Sequence, residues 1–296
     1  MPTRELTENL PLKEADWELD FYSRPVFETD GKKRWELLIS STQNITGEEP
    51  FQWEKRCPAS EVNSVWLTEA IEEALLAAKQ QGWQSPSKVR CWRTSMKTMV
   101  KKAAETNGIE LIQSKRTYSL VEWISHREKH IYPKETGYIE GPLPPMTLPI
   151  INQAIPLPEA VRGDSWNFAF LSIQSLRDAS EWSMQFNGLL PIKQSIKDEV
   201  MIPGIRLFSK SRSLAMAAWL GGLEPVRLKI EENQLLLEAG QSDRWLVTDI
   251  NQDAIQAVKE SFENSKREAD GIQFISIQSS LDDVAFAGFW MLKDLN

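Results

Sequence analysis

The sequence predicts a mixed α/β protein of two domains, and three observations lead to that prediction. Three strand-like runs precede a long helical pattern near the start, a proline-rich stretch interrupts the middle, and strand and helix patterns resume beyond it. A chain of 296 residues is also longer than one hydrophobic core usually requires. Its 41% hydrophobic and 26% charged residues are ordinary for a globular protein that folds unaided.

The first run has the period of a strand with one buried face. Trp17, Leu19 and Phe21 alternate with Glu18 and Asp20, so the aromatic and aliphatic side chains share one side. We expect the acidic side chains to be solvated or paired across strands. A turn at 30–31, where Asp precedes Gly, leads to the second run at 34–39, and the third run occupies 51–58.

Five more elements complete the first domain. They are predicted as a helix from Val62, a strand from Lys88 to Arg93, a helix capped by Ser95, a strand at 109–112 and a helix at 119–130. Three antiparallel strands extended through crossover helices are similar to ribonuclease-H-like folds. The fold class is therefore α/β with mixed sheets.

Nucleases of that fold hold two metal ions with acids from the first strand, the first helix and the end of the fourth strand. Asp20 and Glu73 stand at the first two places, but the fourth strand ends in Arg93 and Thr94, without an acid. We therefore predict the shape without a complete metal site. Such a scaffold would bind nucleic acid without cutting it, and a divergent nuclease that uses Asp20 and Glu73 is the alternative.

Several motifs of the first domain resemble one known family. They are WELDFYSRP at 17–25, WELL at 35–38, CPA at 57–59 and VNSVWL at 62–67, and the ending GFWMLK at 288–293 is also similar. The resemblance is to the TAB family of RNA-binding translation factors of cyanobacteria and chloroplasts. It implies a non-enzymatic protein that activates translation of photosystem I messages, chiefly that for the B subunit, with photosystem II messages as a further candidate.

The resemblance also implies a location. The first 16 residues carry several acids and no apolar run, so they resemble neither a signal peptide nor a transit peptide. We therefore expect a cytoplasmic cyanobacterial member. No run is long and apolar enough to predict a membrane span. Partners implied are the single-stranded leader of a message, with an A/U-rich sequence as a guess, and a ribosome or photosystem assembly factors.

The net charge of −8 argues against nucleic acid only if it is evenly spread, and it is not. Residues 84–134 hold 11 basic against 4 acidic side chains, whereas 1–83 hold 9 against 16 and 135–296 hold 14 against 22. One short segment therefore concentrates positive charge, as an RNA-binding surface requires.

We predict that eight basic residues of this segment hold the message: Lys88, Arg90, Arg93, Lys97, Lys101, Lys102, Lys115 and Arg116. Trp92 and Tyr118 are predicted to stack on its bases, and Arg24 is a further candidate because it lies in the matching motif. The alternative is that the lysines form an ordinary solvated helix face. A protein of another class, a scaffold for photosystem assembly with acidic contact surfaces, also remains open.

We place domain boundaries at 1–132 and 166–296, with a connector at 133–165 that holds seven of the sixteen prolines. The second domain is predicted to contain strands at 166–173, 226–230, 235–238, 244–250, 272–277 and 285–292, and helices at 178–187, 211–220 and 251–266. Gly204 to Arg206 and Lys210 to Arg212 form a lesser basic cluster.

Other chemistry is sparse. Cys57 and Cys91 match no disulfide framework or zinc motif, so we expect buried thiols in a reducing compartment. His126 and His130 have a spacing that metal ligands use, but no third ligand is evident. We predict no cofactor, no metal and no catalytic residue.

Overall fold

The computed structural model describes residues 12–43, 48–140 and 153–295. We call 12–140 the N-terminal half and 153–295 the C-terminal half; the middle of the predicted connector, 141–152, lies outside the described residues. The strands are β1 (Trp17–Phe27), β2 (Lys33–Ser41), β3 (Gln52–Cys57), β4 (Lys88–Cys91), β5 (Glu110–Gln113), β6 (Ile155–Pro156), β7 (Ser165–Ser172), β8 (Met184–Gly188), β9 (Met201–Phe208), β10 (Pro225–Glu231), β11 (Gln234–Ala239), β12 (Asp243–Asp249), β13 (Ile272–Gln278) and β14 (Phe286–Lys293). The α-helices are α1 (Ser64–Gln80), α2 (Lys97–Thr106), α3 (Tyr118–His130), α4 (Ile173–Arg177), α5 (Ser213–Gly222) and α6 (Ile255–Glu268).

The N-terminal half is built on one five-stranded sheet in the order β3-β2-β1-β4-β5. β1 to β3 are antiparallel neighbours, and β4 and β5 extend the sheet in parallel. Gly31 has a φ of +77°, which the turn between β1 and β2 needs and glycine adopts without strain. The Asn63 side chain accepts hydrogen bonds from the first amides of α1 and so fixes where that helix begins.

Both faces of this sheet are covered. Trp17, Leu19 and Phe21 pack with α1 and α2 in the main core, as the alternation predicted. On the opposite face Leu38 packs against Leu120 and Ile124 of α3. The predicted mixed α/β class is confirmed.

The acidic side chains of the second face are buried rather than solvated. Glu18, Asp20 and Glu36 are at most 2% exposed, and α3 packs on this face of the sheet. The expectation that these acids are solvated is therefore wrong, whereas pairing across strands does occur between Arg24 of β1 and Glu36 of β2. A two-residue alternation fixes which side chains share a face, but it does not reveal what covers that face.

The C-terminal half contains a four-stranded sheet, β10-β11-β12-β6, and a five-stranded sheet, β7-β9-β13-β14-β8. The predicted hairpin of β10 and β11 is present. The predicted helix at 178–187 is wrong: only a 3-10 turn at Asp178–Glu181 forms, and β8 follows. Its alternating Met184 and Phe186 pack inward with the period of a strand, and β6 and β9 were not predicted.

The helix predicted from residue 251 begins later, at Ile255, with Ala254 as its N-cap residue. Across the described residues, no helix combines the length and apolar character needed to cross a membrane.

Candidate nucleic-acid interface

The structure separates the predicted RNA-binding residues into two groups. Four lysines are exposed: Lys88, Lys97, Lys101 and Lys102. The other seven are buried or half-buried: Arg24, Arg90, Trp92, Arg93, Lys115, Arg116 and Tyr118. The expectation that one cationic surface contains all of them is therefore corrected, while the binding role of each residue stays a prediction.

The outer face of α2 carries three of the exposed lysines. Lys97, Lys101 and Lys102 point to solvent because the apolar side of α2 packs against the main core. Lys101 lies 3.6 Å from Glu105, and both side chains are more than half exposed, so the pair stabilises the fold little. Ser95 does not cap α2, since it lies in a 3-10 turn that precedes the helix. These three lysines define the α2 lysine face.

Lys88 stands apart from that face. It is the first residue of β4, whereas α2 follows the last residue of that strand. Three steps along a strand span roughly 10 Å. Lys88 therefore lies at the end of β4 that is away from Lys97.

Arg90 joins the two halves of the chain. Its Nη2 donates to Glu224 Oε1 at 2.9 Å, and its Nη1 donates to Asp16 Oδ2 at 3.0 Å. Burial alone would raise the pKa of Glu224, but the hydrogen bond and charge of Arg90 lower it below its usual range. Glu224 therefore holds Arg90 as a counter-ion, and the arginine does not face solvent with the lysines.

Arg116 binds backbone carbonyls of the C-terminal half. Nη1 donates to Pro225 O at 2.8 Å, and Nη2 donates to Gly188 O at 3.0 Å and to Met291 O at 3.1 Å. These carbonyls belong to β10, β8 and β14, so one guanidinium contacts strands of both C-terminal sheets. Its planar fork of donors suits such a site, which a lysine could not fill.

Tyr118 and Lys115 also contact the C-terminal half. The Tyr118 hydroxyl donates to Val226 O at 2.6 Å, and its ring is buried. The backbone N–H of Lys115 donates to Gly240 O at 2.8 Å, and burial lowers the pKa of its ammonium. The predicted stacking of a base on Tyr118 would require the halves to separate.

Arg24 and Arg93 balance one buried carboxylate. Arg24 Nη1 donates to Asp20 Oδ2 at 2.9 Å, and Arg93 Nη2 donates to the same oxygen at 3.2 Å. Arg24 is 4% exposed and also lies 3.5 Å from Glu36. RNA cannot reach Arg24 in this conformation, so the matching motif reflects a buried ion pair.

The acids do not assemble a metal site. In the parts of the chain that the structure describes, no three His, Cys, Asp or Glu residues are grouped as metal ligands would be. Two guanidiniums instead supply the positive charge beside Asp20. His126 and His130 bring their rings to 4.9 Å, without a third ligand in the described residues.

Both thiols are buried. Burial raises the pKa of Cys57 and of Cys91 to about 12, so both stay protonated at neutral pH. Nucleophilic chemistry is therefore not expected from either.

Glu18 lies beside the contact between the halves and titrates abnormally. Its Oε2 accepts a hydrogen bond from the Leu120 N–H at 2.8 Å. Burial raises the pKa of Glu18 to about 8, despite that bond and the nearby charges of Arg90 and Arg116.

We expect Glu18 to make the protein less stable as pH rises from 4.5 to about 8, because the folded state binds its proton more tightly than the unfolded state. Glu18→Gln keeps an acceptor for the Leu120 N–H and removes the ionisable group. The unfolding free energy of the variant minus that of the parent should therefore increase by about 2 kcal/mol as the pH rises from 5.5 to 7.5. Urea titrations across this range measure the difference, and the exposed Glu110→Gln is the control. A pH-independent difference for Glu18→Gln would contradict the assignment.

Two family models match the chain. Residues 16–127 match "RNA-binding protein Tab2/Atab2 N terminal", and residues 144–293 match "RNA-binding protein Tab2/Atab2, C-terminal domain". The chain belongs to the Tab2/Atab2 family. Membership of the Tab2/Atab2 family places it among RNA-binding proteins rather than enzymes, so the predictions of the family and of a non-enzymatic protein are confirmed.

Curated relatives from two plants agree. The chain is 31% identical to "Protein TAB2 homolog, chloroplastic" of Arabidopsis thaliana over 311 residues, which cover 99% of this chain and 79% of the relative. It is 30% identical to the protein of the same description from Zea mays over 292 residues, covering 95% and 72%. The Tab2/Atab2 likeness therefore extends over nearly the whole chain.

Two aromatic residues that lie near the predicted RNA-binding residues were not identified from the sequence of this Tab2/Atab2 chain. Tyr22 contacts the Arg93 guanidinium, whose carbon lies 3.8 Å from the ring centroid. Trp123 packs on the same apolar cluster as Trp92. Trp123 falls between Leu120 and Ile124 in a helical pattern, where an indole ordinarily indicates core.

Proposed function

We propose that this protein binds the single-stranded leader of a photosystem message and promotes its translation. The RNA partner follows from the family, and the exposed α2 lysine face is the observation that carries the mechanism. Photosystem I messages, above all that for the B subunit, are the proposed targets, with photosystem II messages as further candidates. A cytoplasmic cyanobacterial setting and a ribosome as second partner belong to the same proposal.

The α2 lysine face suits phosphates rather than bases. Lys97, Lys101 and Lys102 are flexible point charges that can follow a bent backbone without specifying sequence. Thr98 lies on the same surface and adds a hydroxyl donor, whereas the Thr106 hydroxyl donates to Lys102 O at 2.8 Å.

The arginines have a different role in this proposal. Arg90 and Arg116 hold the C-terminal half, and Arg24 and Arg93 neutralise Asp20. They shape and stiffen the surface beside α2, and of the four Arg93 alone also touches a half-buried indole. While the two halves are in contact, RNA affinity in this proposal comes from the exposed lysines of α2.

The scaffold we propose is ribonuclease-H-like in its N-terminal half. The order β3-β2-β1-β4-β5, with α1 and α2 on one face and α3 on the other, supports it. Domain limits of 1–132 and 166–296 with a connector at 133–165 complete the proposal. Such a scaffold without a metal site binds RNA and leaves it intact.

Neutralising the α2 lysine face is expected to weaken RNA binding. The triple variant Lys97→Gln, Lys101→Gln, Lys102→Gln should bind an A/U-rich single-stranded oligonucleotide at least tenfold less tightly at low salt. Because each phosphate contact on a single strand contributes about 0.7 to the logarithmic salt slope, the slope should fall by about 2. Fluorescence anisotropy over a range of salt concentrations measures both quantities.

The matched control removes the same charge elsewhere. Lys193, Lys197 and Lys259 are exposed lysines of the C-terminal half, and their triple Gln variant should keep the parent's slope. Equal losses in the two triple variants would contradict a localised site. Sequencing the RNA that cross-links to the protein in cells then identifies the message, and recovery of assembly proteins without RNA would favour the scaffold function.

A further inference from the structure

We propose that Trp92 and Trp123 form a two-indole platform on which unpaired bases of single-stranded RNA stack; this inference rests on the proposed RNA binding. Nucleobases of any sequence present π-faces, and indoles are suitable partners for them. The platform would supply base contacts beside the phosphate contacts of the α2 lysine face.

The two indoles share one apolar support. Leu38 of β2 and Leu120 and Ile124 of α3 form a buried cluster, and Trp92 and Trp123 both pack against it. Neither indole is fully buried, so each keeps part of its surface in contact with solvent. Both indoles therefore lie on the same face of the sheet, against one support.

An anchored arginine lies against each indole. The Arg93 guanidinium carbon is 5.2 Å from the Trp92 ring centroid and 3.8 Å from that of Tyr22. Arg93 is itself held by Asp20, whose carboxylate accepts from Nε and Nη2. Trp92 is also fixed through its carbonyl, which accepts from Gln241 Nε2 at 2.9 Å.

The second indole has the same kind of neighbour. The Arg127 guanidinium carbon lies 5.5 Å from the Trp123 centroid. Arg127 is buried, donates to the Tyr132 hydroxyl at 3.0 Å and lies 3.4 Å from Glu36. Because both arginines are fixed by buried partners, the platform is ordered before a ligand arrives, which lowers the entropic cost of binding.

These indoles differ from most other half-buried tryptophans of the described residues. Five of those pack against another aromatic ring: Trp35, Trp166, Trp182, Trp219 and Trp245. Among the described residues, Trp92 and Trp123 have no such ring contact and meet a guanidinium instead. Their π-faces are therefore not occupied by protein rings, and cationic groups beside them attract the adjacent phosphates.

Lysines also lie near the platform in the sequence. Lys97 begins α2 five residues after Trp92, and Lys129 is exposed on α3. Glu122 and Glu128 are half-buried acids of the same helix; Glu122 pairs with Lys293, and burial raises the pKa of Glu128. An RNA strand whose bases stack on the indoles could thus place its phosphates against α2.

The double variant Trp92→Leu, Trp123→Leu tests the platform. We expect it to bind an A/U-rich RNA oligonucleotide at least tenfold less tightly, with the salt slope unchanged because no phosphate contact is lost. Its affinity for an abasic ribose-phosphate oligomer of equal length should match the parent's. Trp92→Phe, Trp123→Phe should recover most of the RNA affinity, since a phenyl ring still stacks.

Trp53→Leu is the matched control, because Trp53 is a half-buried indole of β3 that packs on the main core. It should leave RNA affinity unchanged. Ultraviolet cross-linking of the parent protein to bromouridine RNA is a second measurement that needs no variant, and mass spectrometry should locate adducts on Trp92 or Trp123.

The outcomes separate the two proposals. Parent-like RNA affinity of the double Leu variant, or equal losses with RNA and the abasic oligomer, would overturn the platform and leave RNA binding intact. Adducts confined to other segments would also overturn it. A parent protein that binds neither oligomer would overturn the proposed function, and the platform with it.

Discussion

Asp20→Ala is expected to lower the free energy of unfolding by about 3–5 kcal/mol, the usual cost of breaking a buried ion pair from one side. Asp20 is fully buried and accepts hydrogen bonds from Arg24 and Arg93. Without it, Glu36, at 3.5 Å, would be the one carboxylate partner left to Arg24 among the residues that the structure describes. An uncompensated guanidinium in the interior is the source of the loss.

Urea unfolding measures the effect of Asp20→Ala, with Asp282→Ala as the control. Asp282 is exposed, so its removal should change stability by less than about 0.5 kcal/mol. The nuclease alternative makes the opposite prediction for Asp20. In that case the parent would cleave RNA with added magnesium, and Asp20→Ala would abolish cleavage while leaving the unfolding midpoint nearly unchanged.

Arg116→Ala should cost about 3 kcal/mol and loosen the contact between the two halves. Three backbone carbonyls at Gly188, Pro225 and Met291 would lose a charged donor. A hydrogen bond to a charged group contributes about 1.5–3 kcal/mol, and bonds that share one guanidinium are not additive. The loss is therefore expected near the value for one or two such bonds.

Hydrogen exchange distinguishes this effect from a general loss of stability. In Arg116→Ala, amides of β8, β10 and the end of β14 should exchange faster than those of β1 and β2. Arg116→Lys should be intermediate, because a lysine keeps the charge but cannot reach all three carbonyls. The exposed Arg267→Ala serves as the control. Uniform acceleration over both halves would contradict a specific role for Arg116.

The sequence predicted the N-terminal half well because its signals are local. The alternation of Trp17, Leu19 and Phe21 identified the inner face of β1, and the glycine turn at Gly31 fixed the following hairpin. The helix prediction at 178–187 failed because a short polar turn precedes a strand whose alternation covers only five residues. A segment so short carries too little periodicity to decide between helix and strand.

The candidate site was harder, because charge counts do not show where side chains point. Residues 84–134 are rich in basic groups, yet Arg116 finds its partners 72 to 175 positions away along the chain. Nothing local in the sequence marks such partners. The lysines of α2 were recoverable because the helical period alone places them opposite Val100.

The ion pair of Arg90 with Glu224 has a consequence for work with fragments. An N-terminal fragment would lack Glu224, which binds Arg90, and the backbone carbonyls that bind Arg116. Residues 1–134 hold 20 basic and 20 acidic side chains, so a truncated N-terminal piece would be neutral overall while exposing arginines that the intact molecule keeps bound. Binding experiments therefore need a chain that contains both halves, because the C-terminal half occupies Arg90 and Arg116.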